Sequence, residues 1–313
     1  MSENVAIQAS DLTKFYEEIC AVNHIKFEVE KGEIFGFLGP NGAGKTTTIR
    51  MLTGVIKPDA GIASIMRYDI QKEPLKAKQV MGILPEMANA YIDLTAWQNL
   101  MFLGELYGTS KTLRHERAAI LLRKFGLYDR KDQLVKGFSK GMKQRLLICM
   151  ALLNEPKILL LDEPTVGLDI QSAKLIREML RELNQEGVTI FLTTHNMEEA
   201  NQLCERLAII NHGMIAAIDR PENLKMMEVG PNLIEVAFDK PVEIESLSKL
   251  STLIQAKKMG DKIRLYTEDT NGSICQIVDY AKANELRFVS LNVLAPSLED
   301  VFIKLIEGSE EKQ

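Results

Sequence analysis

The run Gly39-Pro40-Asn41-Gly42-Ala43-Gly44-Lys45-Thr46 constrains this chain more than any other stretch of it. Its spacing, G-x-x-x-x-G-K-[ST], is that of a phosphate loop, which needs a buried strand before it and a helix N-terminus after it. Both flanks fit: Glu33-Ile34-Phe35-Gly36-Phe37-Leu38 is a short apolar run, and Thr47-Thr48-Ile49-Arg50-Met51-Leu52 reads as a helix. Glycines let backbone N–H groups curl around phosphate oxygens, and the helix dipole adds a favourable field. Gly39 through Thr47 are therefore the expected phosphate contacts. Lys45 reaches the β- and γ-phosphates, and the Thr46 hydroxyl ligates Mg²⁺. The loop alone implies a nucleoside triphosphate without saying what its energy is used for.

A chain of 313 residues makes one large or two smaller domains. With 46% hydrophobic residues it has ample material for a core. The net charge of −5 and the lack of a long basic run disfavour nucleic acid as a partner. Cys20, Cys149, Cys204 and Cys275 are scattered, which points to free thiols rather than a zinc site or a disulfide framework. Met1-Ser2-Glu3-Asn4 lacks a signal pattern. No apolar stretch reaches the ~18 residues a membrane-spanning helix needs, so any transmembrane work falls to another polypeptide.

Residues 5–9 and 25–30 alternate as half-buried strands do. Ile158-Leu159-Leu160-Leu161 and Val188-Thr189-Ile190-Phe191-Leu192 are continuous apolar runs suited to a parallel sheet buried on both faces. Gln171–Gln185, with Leu175, Met179 and Leu183 at four-residue spacing, reads as a helix between them. The alternation predicts an α/β core with a mixed, largely parallel sheet. Residues 87–155 read as a helical insertion, and 207–211 with 214–218 as a hairpin across Asn211-His212-Gly213. A first domain over 1–225 is then followed by a small α+β accessory domain over 226–313. Its expected strands are 233–238, 262–267 and 287–293, and its expected helices 273–284 and 297–306.

Hydrolysis needs a second metal-side carboxylate and a group that orients water. The apolar run 158–161 leads directly into Asp162-Glu163-Pro164, which puts two acids at the C-terminal edge of the sheet. Asp162 is the expected Mg²⁺ partner and Glu163 the expected general base. Phe138-Ser139-Lys140-Gly141-Met142-Lys143-Gln144-Arg145 offers a serine-capped helix start, a second anion site.

In combination these residues resemble the nucleotide-binding subunit of an ABC transporter, over residues 5–225. The phosphate loop and the acidic strand end match. Phe138-Ser139-Lys140-Gly141-Met142 is similar to the ABC signature, usually Leu-Ser-Gly-Gly-Gln. Gly167-Leu168-Asp169 is similar to the D-loop, His195 to the switch histidine and Tyr16 to the aromatic that stacks on adenine. The resemblance implies the P-loop NTPase fold of ABC ATPases, with an antiparallel β subdomain, and ATP with Mg²⁺ as ligands. It further implies a head-to-tail homodimer sandwiching two ATP molecules. Ser139 and Gly141 of one copy would contact the γ-phosphate held by Lys45 of the other. Asp169 would couple the two sites, and His195 would sense the γ-phosphate. The subunit would lie at the cytoplasmic face of the cell membrane, held there by a separate transmembrane permease.

Two motifs depart from the family pattern. Glu86 stands where a glutamine is usual, so it enters as a carboxylate that could also ligate Mg²⁺, and Lys140 and Met142 alter the signature. These variants, together with Ala295-Pro296-Ser297-Leu298-Glu299-Asp300-Val301-Phe302, resemble the drug, antibiotic and sodium exporter branch. In the family, the region 87–106 receives a helix of the membrane subunit, with Tyr91 and Trp97 as candidate contacts here. The competing reading is a soluble ABC-type ATPase of translation or DNA repair. Two cassettes in one chain, a coiled-coil insertion or a basic surface would favour it, and none is visible.

Overall fold

The computed structural model describes residues 4–86, 89–227, 232–294, 298–299 and 301–302. The chain divides into two compact units, one running to Pro221 and one starting at Glu222. Among the described residues, no helix is long and apolar enough to cross a membrane.

In chain order the first unit contains β1 (Val5–Tyr16), β2 (Ile19–Glu30), β3 (Ile34–Leu38), α1 (Lys45–Leu52), β4 (Ala60–Ile65), β5 (Tyr68–Asp69), α2 (Pro74–Gln79) and β6 (Met81–Leu84). It continues with α3 (Ala96–Leu106), α4 (Lys111–Lys124), α5 (Lys140–Leu152), β7 (Ile158–Asp162), α6 (Ile170–Gln185), β8 (Thr189–Thr194), α7 (Met197–Leu203), β9 (Arg206–Asn211) and β10 (Met214–Asp219). The central sheet runs β10-β9-β3-β8-β7-β6. It is parallel throughout except for the β9–β10 hairpin. A second, antiparallel sheet, β2-β1-β4-β5, belongs to the same unit.

Every residue of β3, β7 and β8 is buried because each of these strands feeds two cores. Ile34, Leu159, Leu161, Ile190 and Leu192 enter one core with α3 to α6. Phe35, Phe37, Ile158, Leu160 and Phe191 enter the other, with β1, β2, β4 and α1. Alternate side chains point to opposite faces of a strand, so a strand covered on both sides is apolar through its middle, and the polar residues Asp162, Thr189, Thr193 and Thr194 fall at the strand ends. In the second core the rings of Phe27, Phe35, Phe37 and Phe191 stack with centroids 5.5–5.9 Å apart.

The helical insertion is α3 to α5. Thr95 starts α3 with a capping box closed by Gln98. The fully buried Asn99 accepts from Tyr91 N at 2.8 Å, and its amide donates to Tyr91 O and Thr95 O. Two strands here escape the periodicity argument. β6 is four residues long, and β1 runs seven residues past the alternating stretch because register shifts break its alternation.

The second unit holds α8 (Pro221–Met227, its first residue still in the first unit), β11 (Asn232–Phe238), α9 (Ile244–Leu247), β12 (Leu253–Met259), β13 (Lys262–Thr267), α10 (Thr270–Ala283) and β14 (Phe288–Leu294). Its antiparallel sheet, β12-β13-β11-β14, packs Ile234, Val236, Ile263 and Leu265 against Leu247 and Ile277 of the helices. β12 carries a mostly exposed pattern, Leu-Ile-Gln-Ala-Lys-Lys-Met, that does not read as a strand from sequence. The expected helix over 297–306 lies largely outside the described residues; Leu298, Val301 and Phe302 are buried.

Phe191 is fully buried at the centre of its ring cluster. Phe191→Ala should cost about 3–5 kcal/mol, read as an earlier unfolding transition of the first unit in a denaturant titration.

Candidate functional site

The register of the parallel sheet builds the site. Leu38 pairs with Thr194, Asp162 with Thr193, and Leu84 with Leu161. The residues that follow, Gly39, Glu86, Glu163 and His195, therefore leave four strands along one edge of the sheet.

Gly44 sits at the N-cap of α1 with φ of +105°, a conformation that excludes a Cβ. A Cβ there would also lie 2.5 Å from the Ala21 carbonyl. The turn aims the first N–H groups of α1 into a recess lined by Asn41, Gly42, Gly44, Lys45, Thr46, Thr47, Glu86 and Glu163, with Ala21 at its side. Gly39, Pro40 and Ala43 supply the loop's backbone. Gly39 N donates to Thr194 O at 3.2 Å, and Ala43 N to Pro40 O at 3.2 Å.

Lys45 is 6% exposed, and its ammonium donates to Gly39 O at 2.8 Å and Pro40 O at 3.0 Å. It also lies 3.3 Å from Glu163 Oε1. The other oxygen, Oε2, is 2.9 Å from His195 Nδ1. Glu163, 8% exposed, is thus clasped between a cation and an imidazole. It holds a left-handed backbone, φ +52°, which disfavours an L-residue by roughly 1–2 kcal/mol. Thr193 stabilises that turn: Glu163 N donates to its hydroxyl at 3.1 Å and to its carbonyl at 3.2 Å. The same hydroxyl donates to Asp162 Oδ1 at 2.5 Å, a short charge-assisted bond that fixes the buried carboxylate.

Ser139, Gly141 and Asp169 are not among the residues that line this recess; they form a second cluster. Ser139 caps α5 by accepting from Met142 N at 3.2 Å. Asp169 caps α6, accepting from Ser172 N and from its hydroxyl, both at 2.8 Å, and the bond from that N–H holds its carboxyl below the usual range. The helix starts are adjacent: a Cβ on Gly141 would fall 2.5 Å from Ser172 Oγ. Gln144 Nε2 ties α5 to Pro164 O at 2.8 Å. Tyr16, 43% exposed at the end of β1, lines a different hollow with Lys14, Pro58 and Asp59.

Sequence reasoning missed Thr193 and Glu199. Glu199 is 1% exposed in the first turn of α7 and accepts from the Thr165 hydroxyl at 2.6 Å. Burial pushes its carboxyl above the usual range. A glutamate in a helix first turn ordinarily faces water, so nothing in the string of residues marks this one as buried. Thr193 had a faint signal, a polar residue closing an apolar strand.

The sequence pattern of the family described as ABC transporter matches residues 22–166. The chain is 38% identical to the linearmycin resistance ATP-binding protein of Bacillus subtilis (strain 168), covering 96% of this chain and 97% of that protein. It is also 38% identical to the Nod factor export ATP-binding protein I of Paraburkholderia xenovorans (strain LB400), covering 96% of each. Its fold is similar to a dimeric post-hydrolysis ATP-binding cassette bound to ADP and Pi, with a TM-score of 0.61 and 27% identity over 68% of this chain and 98% of that one. The loop, the acidic strand end and these likenesses agree, and the chain belongs to the ATP-binding, ATP-hydrolysing subunits of ABC transporters.

Proposed function

We infer that this chain is the motor of a membrane exporter, held at the cytoplasmic face of the membrane by a separate permease and acting as a pair of copies. The observation that carries the hydrolytic part of this reading is the clasp on Glu163, with Lys45 on one oxygen and His195 on the other beside the phosphate loop.

The loop 39–47 wraps the phosphates, with backbone N–H groups at the start of α1 and the Lys45 ammonium as donors. A γ-phosphate competes with Glu163 Oε1 for that ammonium. Once Lys45 turns to the phosphate, Oε1 is released from its cation and would accept a hydrogen bond from the attacking water. His195 fixes the plane of the carboxylate through Oε2 and would hydrogen-bond the γ-phosphate. The Thr46 hydroxyl and Glu86 on the recess wall, and Asp162 at the adjoining strand end, form the hard-oxygen donor set that suits Mg²⁺. When bound, the ion would offset phosphate charge. Tyr16 offers an exposed ring for adenine to stack on.

The separation of Ser139, Gly141 and Asp169 from their own recess supports their use by the second copy, whose nucleotide Ser139 and Gly141 would close over. The cassette of similar fold described as dimeric supports a pairing of two copies. Export, rather than import, is supported by the name of the Nod factor export relative. No observation favours the soluble, non-transport reading.

For the permease contact, Tyr91 and Phe102 form the better surface. Both are exposed, their rings meet edge to face at 5.2 Å, and Asn99 pins the Tyr91 backbone from below. Trp97 instead is half-buried, packs on the core and meets His115 edge-on. Met87, also in the expected groove, lies outside the described residues.

Glu163→Gln should keep ATP affinity while steady-state hydrolysis falls about 10²-fold or more, with an ATP-bound dimer accumulating on size-exclusion chromatography. Turnover near that of the parent would remove Glu163 from the role of base. Tyr91→Ala should leave ATP binding intact and abolish co-purification with the permease. Equal losses of both would show that Tyr91 matters to the cassette itself and not to docking.

A further inference from the structure

Glu199 is a buried carboxyl that the mechanism above does not use. Its Oε1 accepts from the Thr165 hydroxyl at 2.6 Å, and the Thr194 hydroxyl lies close enough to favour its charged form. Thr194 Oγ1 in turn accepts from Asn196 N at 3.0 Å, and Asn196 Oδ1 accepts from Glu199 N at 3.0 Å. His195 is therefore bracketed on both sides by residues tied to Glu199. Thr165 stands two residues beyond Glu163, in the loop that Gln144 fixes from α5 through Pro164 O. The two loops meet at one carboxyl, and the Glu163–His195 contact of 2.9 Å spans the same two loops.

We propose that Glu199 is a positioning residue for hydrolysis: its carboxyl clamps the loop following Glu163 to the loop carrying His195 and so sets the contact between those two side chains. The proposal rests on the roles assigned to Glu163 and His195 above. The chemistry of the clamp favours a carboxylate. A carboxylate oxygen accepts the Thr165 hydroxyl more strongly than the neutral oxygen of a carboxamide does. Burial opposes ionisation and the charge of Glu163 adds to that opposition, while the two hydroxyls and the Arg177 guanidinium favour it. A carboxyl kept in such a place is costly for simple packing, since an apolar side chain would fill the space without desolvation. A clamp between two loops needs the polar bonds that an apolar residue lacks.

The test compares Glu199→Gln, Thr165→Val, their double variant and Glu163→Gln in the purified full chain. The measurements are equilibrium ATP binding, the thermal midpoint, and kcat at saturating ATP and Mg²⁺. Glu199→Gln should lower kcat about tenfold with ATP affinity within about twofold of the parent, the pattern of a lost transition-state contribution. Thr165→Val should lower kcat in the same direction. The double variant should be no worse than Glu199→Gln alone, since both act through one clamp. A parent-like kcat in Glu199→Gln, or losses that multiply in the double variant, overturns the proposal. If Glu199→Gln does not fold, Thr165→Val decides: a parent-like kcat there overturns it. Turnover retained in Glu163→Gln would instead remove the base assignment and the clamp's purpose with it. Turnover lost in Glu163→Gln but kept in Glu199→Gln leaves that assignment standing and removes only the clamp.

Discussion

Hydrogen-bond register in the parallel sheet sets Leu84 level with Leu161, Asp162 with Thr193 and Leu38 with Thr194, and the recess is measured from that line. A slip of one residue in any of these strands would exchange its inward and outward faces. In β7 it would also carry Asp162 off the Thr193 hydroxyl and Glu163 away from Lys45 and His195. The two cores on either side of the sheet prevent such a slip. Ile158 and Leu160 are committed to one core, Leu159 and Leu161 to the other. The apolar packing and the placement of the charged groups are thus one constraint.

Within that frame, Lys45, Asp162, Glu163 and Glu199 are all buried. Charges removed from water are tolerated when each is paired or hydrogen-bonded, and here each has its partner. Lys45 has two loop carbonyls and Glu163; Glu163 has Lys45 and His195; Asp162 has Thr193; Glu199 has Thr165. The left-handed backbone at Glu163 fits the same picture. It is strain concentrated at the residue whose direction matters most, held by two bonds to Thr193.

The helix caps have a double character. Ser139, Asp169 and Asn196 each begin a helix by accepting a backbone N–H, and each lies in or beside a segment that the family pattern singles out. A cap needs a short polar side chain in an extended backbone at a helix start, and an anion site needs the same place. Local folding and function therefore ask for the same residue types at these positions.

The sequence by itself determined the phosphate loop, the two buried acids and the α/β alternation. A G-x-x-x-x-G-K-[ST] run between an apolar strand and a helix has few other uses, and continuous apolar runs betray strands covered on both faces. It also marked β11, β13 and α10 of the second unit closely, because their patterns are regular. It could not mark β6, which is too short for periodicity, or β12, whose lysines suit an exposed edge. Only the tertiary structure decided that Trp97 packs inward while Tyr91 is presented outward, that Ser139 and Asp169 gather away from the recess of their own chain, and that Glu199 is buried between two loops. These are facts about which distant segments meet, and a residue's burial depends on what packs over it rather than on its neighbours in the chain.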